Sequence, residues 1–333
     1  MAYMNAPAAP IPLDGEGESR LSFVRQPRSS VNAVSEILAG LASQPKSLSP
    51  KFFYDSLGAS LFDRITVLPE YYLTRSERDI FKRYESHIAA ALGTGRILIE
   101  PGSGSSEKVE LLLNALRPGA YVPLEITESH VLEASRNLVK RYPWLTVHAI
   151  CADYTGGMDL PASLPPGQRL LFFPGSTIGN FEPADASRFL REMHRVCGDG
   201  GSLLIGVDLR KDEAVLNAAY NDSEGITARF NRNILTHVNR LADADFDIEQ
   251  FQHMAFFNPI ESRIEMHLES LKDQCVRVGA REVQLEAGER IHTENSYKYT
   301  VEGFQDVARL AGFTPRETWY DEAGWFSVQL LDA

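Results

Sequence analysis

The chain has 333 residues, 44% of them hydrophobic, and a formal net charge of −12, which gives room for about two domains, or one large α/β domain with an insertion, around an ordinary core. The acidic balance, with no Lys/Arg block of five, argues against a nucleic-acid backbone as partner, and no apolar run has the length of a membrane span or the layout of a signal peptide. Three scattered cysteines, Cys151, Cys197 and Cys275, include no CxxC pair, so neither a disulfide framework nor a zinc site is indicated and a cytoplasmic location is expected.

In chain order, residues 1–29 open on MAYMNAPAAPIPLDGEGESR and read as a flexible tail. Residues 30–42 have helical spacing behind a serine cap, and they open a helical region, 30–92, that precedes the α/β unit. Within it, a helix is expected from about Arg75, with Ile80, Phe81 and Tyr84 on one face. Tyr54, Tyr71 and Tyr72 fall on the connections, where taken alone they read as half-buried packing residues with satisfied hydroxyls.

Residues 96–108, RILIEPGSGSSEK, then set a short apolar strand against a Gly-Ser-Gly turn and a serine-capped helix over 105–116. Strand, glycine turn and helix form the first unit of a doubly wound α/β fold, which binds nucleosides at that turn. The dinucleotide fingerprint is absent, because Glu107 stands where a third glycine would follow Gly102 and Gly104. A carboxylate at the helix N-terminus disfavours a phosphate there. Glu100, Glu125 and Asp153 fall at the expected ends of successive strands and suggest an acidic rim. Such a rim suits a ligand with ribose hydroxyls and a positive charge, the description of S-adenosylmethionine.

Further strands are expected at 97–100, 121–126, 146–152, 169–173 and 202–208, with helices near 105–116, 129–141 and 183–197, a rhythm that predicts a mostly parallel sheet. The fourth strand runs into GSTIGNFEP, which brings Gly175, Ser176, Gly179 and Asn180 to the ligand crevice. Loop chemistry and a helix start account for the same residues equally simply. After Asp208 the rhythm breaks. A helix region over 221–241, a capped helix start at DADFDIEQF and alternating strands over 254–287 make 210–297 an inserted lid that packs with the N-terminal helices. A helix over 301–310 and a hairpin around 321–324 close the sheet, the ending expected of a class I methyltransferase fold. The fold class is therefore α/β, Rossmann-like, with a smaller α+β substrate-binding unit; residues 93–209 and 298–333 form the nucleoside-binding domain. Thr293 and Glu294 also read as a cap for the helix that follows.

PKFFYDSLGASLFDRI, LPEYYLTRSE, EPGSGSSEK, GSTIGN, AAYND, IEMHL and TENS occur in this order along the chain. Together they give a sequence that resembles the histidine-specific N-alpha-methyltransferases of ergothioneine biosynthesis over residues 30–331. The resemblance implies an enzyme that uses S-adenosylmethionine to methylate the α-amino group of L-histidine three times, giving hercynine. It assigns Gly102 and Lys108 to the methionine end of the cofactor and the turn, Ser103 and Gly104 to the cofactor site as well, Glu125 to the ribose, and Asp153 with Tyr154 to the adenine. Glu125 departs from the family's more frequent Asp, and the longer carboxylate still bridges two hydroxyls. Tyr71, Asn180 and Tyr220 go to the amino-acid head group with the Gly175 backbone, Glu294 and Ser296 to the imidazole, Met266 to the wall beside the ring, and Tyr54 to a position over the pocket. Tyr54, Tyr71 and Asn180 are the implied catalytic residues, and Tyr72 competes with Tyr71 for the same role. The implied partner is one small molecule, with no metal, nucleic acid or membrane, acting on a monomer. An N-methyltransferase for another amino acid or amine, or an inactive cofactor-binding subunit, stays open at this level.

Overall fold

In the computed structural model, residues 18–26, 33–154 and 157–333 are described. The elements in order are β1 (Leu21–Arg25), α1 (Ala33–Ala42), β2 (Lys46–Ser47), α2 (Ser56–Ile65), α3 (Tyr72–Leu92), β3 (Ile97–Pro101), α4 (Glu107–Leu116), β4 (Ala120–Glu125), α5 (Glu128–Arg141), β5 (Val147–Cys151), β6 (Arg169–Phe173), α6 (Pro183–Cys197) and β7 (Ser202–Asp208). They continue with α7 (Glu213–Tyr220), α8 (Ile226–Ala242), β8 (Phe251–Asn258), β9 (Arg263–Ser270), β10 (Gln274–Val278), β11 (Arg281–Leu285), β12 (Arg290–Tyr297), α9 (Val301–Leu310), β13 (Thr314–Tyr320) and β14 (Phe326–Asp332).

Among the described residues, eight strands form one sheet in the order β1-β5-β4-β3-β6-β7-β14-β13. β14 runs antiparallel to both neighbours while the other pairs are parallel, so β13 shares the main strand direction. Strand order reverses between β3 and β6, which opens the ligand crevice at their C-terminal ends. Strands buried on both faces need apolar residues throughout. One face of this sheet carries Leu98, Tyr121 and Phe172 under α3, α4 and α5. The other carries Ile99, Val122 and Phe173 under α6 and α9. The fold is the doubly wound α/β arrangement expected.

Above the crevice lies a second sheet, β2-β12-β9-β8. Its β12 pairs parallel with β2, from the N-terminal region, and antiparallel with β9. Helix α8 packs on this sheet and on α1 and α2. Phe53 and Phe230 stack there with centroids 4.5 Å apart.

Several local expectations are corrected. Residues 21–25, expected in the tail, belong to the main sheet, as β1 paired with β5 and burying Leu21, Phe23 and Val24. The rest of the expected tail, and the serine cap at Ser30, lie outside the described residues apart from 18–20 and Gln26. Helix α4 starts at Glu107, because Ser106 adopts a left-handed φ of 59° and makes no side-chain cap. Helix α3 starts at Tyr72, three residues earlier than the spacing suggests, so Tyr72 is helical. DADFDIEQF forms one 3-10 turn, Ile248–Gln250, and then enters β8 at Phe251. Thr293 and Glu294 sit inside β12, and the cap of α9 is Thr300, whose side chain accepts from the Gly303 N–H at 3.0 Å.

Candidate active site

The crevice begins at the end of β3. Gly102 and Gly104 take φ of +71° and +50°, a region that glycine enters without penalty. A Cβ on Gly102 would lie 2.7 Å from the Tyr154 hydroxyl, so only a bare backbone fits under that ring. The N–H groups of Gly102 and Ser103 donate to Leu124 O at 2.8 and 3.1 Å, which binds the turn to the end of β4. There the Glu125 carboxylate accepts from the N–H groups of Gly104, Ile126 and Thr127 at 3.2, 2.8 and 3.2 Å. Beyond it, Asp153, Ile126 and Glu128 help to line a cleft of about 340 Å³ at the ends of β4 and β5. Tyr154 leans on Phe173 and Phe189 beside the turn. A glycine cradle with two carboxylates at neighbouring strand ends, and a helix opening on Glu107 in place of a phosphate site, fits a nucleoside sulfonium.

Glu100 is no part of that rim. It is 2% exposed, accepts a 2.5 Å hydrogen bond from Tyr121 beneath the turn, and burial pushes its carboxyl up to about 8.

The loop after β6 meets the turn through a residue from a third element. Glu77 of α3, almost fully buried, accepts from Gly175 N–H at 2.6 Å and pairs with Lys108 Nζ at 2.9 Å. Gly175 has φ +81°, and a Cβ there would stand 2.5 Å from Lys108 Nζ. The 3-10 turn Thr177–Asn180 follows, and Gly179 passes so close to β12 that a Cβ would meet Tyr297 O at 2.9 Å. Asn180 is half-buried at the end of this turn.

The upper wall is β12. A bulge between His292 and Glu294 resets its register, after which alternation turns Glu294, Ser296 and Lys298 to one face. Asn295 and Tyr297 face the other way, where both donate to Glu182. On the inner face, Ser296 Oγ accepts from Tyr220 O–H at 2.8 Å and from Lys298 Nζ at 2.8 Å. Lys298 pairs with Asp208 at 2.7 Å, both wholly buried. Asp208 also accepts from the Tyr72 hydroxyl, at 2.8 and 3.0 Å, and from Lys211. Burial alone would raise the Asp208 carboxyl, but the two ammoniums hold it below its ordinary range, while burial draws Lys211 down to about 8. Burial lifts Glu294 to about 7 against the opposing Lys298. Met266 pairs with Glu294 across the sheet and is 1% exposed.

The two adjacent tyrosines separate cleanly. Tyr72 is spent on Asp208 and Lys211, whereas Tyr71 sets its ring edge-on to Tyr220, 6.4 Å between centroids. Burial, Tyr220 and Glu294 raise the Tyr71 hydroxyl well above its usual value. Tyr54 is 38% exposed, yet its hydroxyl end is buried. Burial raises it, and so do Glu294, Tyr71, Tyr154 and Glu125, which puts that hydroxyl within electrostatic reach of both ends of the crevice.

The structure thus gathers Tyr54, Tyr71, Tyr220, Glu294 and Ser296 at one end and Gly102, Ser103, Gly104, Glu125, Asp153 and Tyr154 at the other. Gly175 and Lys108 meet between them. Glu77, Asp208, Lys211 and Lys298 were absent from the sequence expectations. Glu77 was detectable as a charge within the buried set Leu73, Glu77, Ile80 and Phe81 of α3. Lys298 was detectable only once TENSYK was read as a strand of period two.

A family model described as "Histidine-specific methyltransferase, SAM-dependent" matches residues 33–333. The chain is 43% identical over 303 residues to a histidine N-alpha-methyltransferase of Mycobacterium tuberculosis, covering 89% of this chain and 93% of that protein. It is 41% identical over 301 residues to the histidine N-alpha-methyltransferase of Mycolicibacterium smegmatis, with the same coverage. It is also 30% identical over 319 residues to ergothioneine biosynthesis protein 1 of Neurospora crassa, covering 89% of this chain and 34% of that longer protein. On the match over residues 33–333 and the 43% identity over 303 residues, the chain belongs to the family of S-adenosylmethionine-dependent, histidine-specific methyltransferases.

Proposed function

We infer that the protein transfers three methyl groups from S-adenosylmethionine to the α-amino group of L-histidine, giving hercynine for ergothioneine biosynthesis. The observation that carries this reading is the inner face of β12, which sets a buried carboxylate, Glu294, and a buried hydroxyl, Ser296, near Tyr71 and Tyr220. A carboxylate and a hydroxyl two residues apart match the two nitrogens of an imidazole, one offering N–H and one accepting.

On this reading Gly102, Ser103, Gly104 and Lys108 receive the methionine end of the cofactor, Glu125 the ribose, and Asp153 with Tyr154 the adenine. S-adenosylmethionine, when bound, supplies an electrophilic methyl group on a sulfonium. Tyr71, Asn180 and Tyr220 hold the amino-acid head group. The Gly175 N–H is spent on Glu77, so that residue has its carbonyl to offer an amine. Glu294 and Ser296 anchor the ring away from the methyl donor, with Met266 behind it. Little new charge forms in the transfer, so positioning carries most of the rate and the ammonium loses its proton to water. The faces of Tyr54 and Tyr71 favour the growing ammonium by about 0.5–2 kcal/mol. The protein acts in the cytoplasm as a monomer on this reading.

Incubation with cofactor and histidine should yield a product heavier by three methyl groups. Glu294→Ala with Ser296→Ala should abolish it while S-adenosylhomocysteine still binds. Hercynine at the normal rate from the double variant would remove the imidazole assignment; preference for tryptophan, tyrosine or histamine in competition would favour another amine as substrate.

A further inference from the structure

Lys298 is 2% exposed as a residue and its side chain is wholly buried, one residue past the strand β12 that forms the upper wall of the pocket. An ammonium has three N–H donors and no lone pair. Here three acceptors surround it: Asp208 Oδ2 at 2.7 Å, Ser296 Oγ at 2.8 Å and the Tyr220 hydroxyl at 3.3 Å. Tyr220 passes the same polarity on, since its oxygen accepts from Lys298 and its proton goes to Ser296 at 2.8 Å. Ser296 Oγ therefore accepts twice within the protein. Its two lone pairs are used, and its own proton is left for whatever enters the pocket.

We propose that Lys298 is a positioning residue for substrate choice: by forcing Ser296 to act as donor, it makes the pocket select a neutral imidazole that presents its bare nitrogen to Ser296 and its N–H to Glu294. The proposal rests on the assignment of Glu294 and Ser296 to the substrate ring. An indole would satisfy Glu294 but turn a ring carbon toward the Ser296 proton. An imidazolium would bring a second N–H against it. Either leaves a buried donor unmatched, enough for about a ten- to hundredfold loss of affinity. Asp208 is essential to the arrangement, because it holds the ammonium in place from the methyltransferase sheet while Ser296 belongs to the lid strand. The direction of hydrogen bonding in the pocket is thus set from outside the pocket.

The wild-type protein provides a measurement that no folding defect disturbs. Histidine labelled with ¹⁵N in the ring, bound in the presence of S-adenosylhomocysteine, should show one pyrrole-type and one pyridine-type nitrogen. Two protonated nitrogens, or an even mixture of tautomers, would overturn the proposal. Lys298→Met should raise the KM for histidine about tenfold or more and abolish the single-tautomer spectrum, with S-adenosylhomocysteine affinity unchanged. Lys298→Arg, which keeps the donors, should restore part of both. An unchanged KM and spectrum in Lys298→Met would sink the role of Lys298. If Ser296→Ala also leaves both unchanged, the ring does not lie at Ser296 and the pocket assignment fails as well; if Ser296→Ala alone impairs binding, the assignment stands without Lys298.

Discussion

On the proposed function, Glu294 trades stability for recognition. Its carboxyl is raised to about 7 by burial, from 4.5 in the unfolded chain, with Lys298 only partly opposing. A raised carboxyl means that the folded state holds its proton longer, so the cost is absent below about pH 4.5, grows between there and about 7, and is full above. The shift corresponds to roughly 3 kcal/mol at full ionisation. Glu294→Gln should therefore stabilise the protein little at pH 5 and by on the order of 2–3 kcal/mol at pH 8, read by denaturant midpoints, while histidine methylation falls. An equal gain at both pH values would show that the carboxylate is not the strained group.

Among the elements, α3 and β7 meet where side-chain volume is forbidden. A Cβ on Gly206 of β7 would lie 2.1 Å from Glu77 Oε1 and 3.1 Å from the Phe326 ring. Glu77 cannot yield without releasing Gly175 N–H and Lys108 together. Gly206→Ala should cost about 1–3 kcal/mol by overpacking and lower cofactor affinity, measured by titration with S-adenosylhomocysteine. Wild-type stability and affinity in this variant would mean that Glu77 does not organise the crevice. In β12, the same logic of placement follows from alternation. Its bulge after His292 turns Glu294 and Ser296 inward, with Lys298 following just past the strand, and sends Asn295 and Tyr297 to Glu182.

Over the whole molecule, the second sheet and the main sheet are joined by Lys298, just past β12, with Asp208 and by the approach of Gly179 to β12. The expected site draws on both units, and ligands that bind only the folded crevice stabilise both. S-adenosylhomocysteine at a hundred times its Kd should add about 2.7 kcal/mol to unfolding. Histidine added with it should raise the melting temperature further, as one transition; a lid that melts separately at unchanged temperature would contradict the coupling.

The sequence by itself determined the α/β class, the glycine turn and the strand succession from β3 to β7, and it named most of the residues that the fold brings to the crevice, because each rests on local periodicity or on a motif contiguous in the chain. It misplaced Leu21–Arg25, whose strand character depends on pairing with Val147–Cys151, more than a hundred residues away. It put Glu100 on the rim, since alternation along a strand does not say which face the ligand occupies. It left Tyr71 and Tyr72 undecided, and only packing against Tyr220 and Asp208 separates them. The tertiary structure alone supplied Glu77, Asp208, Lys211 and Lys298, for a physical reason: a buried charge is tolerated only beside partners that neutralise it, and although Lys211 lies three residues from Asp208, the pairs Glu77–Lys108 and Asp208–Lys298 join segments far apart along the chain.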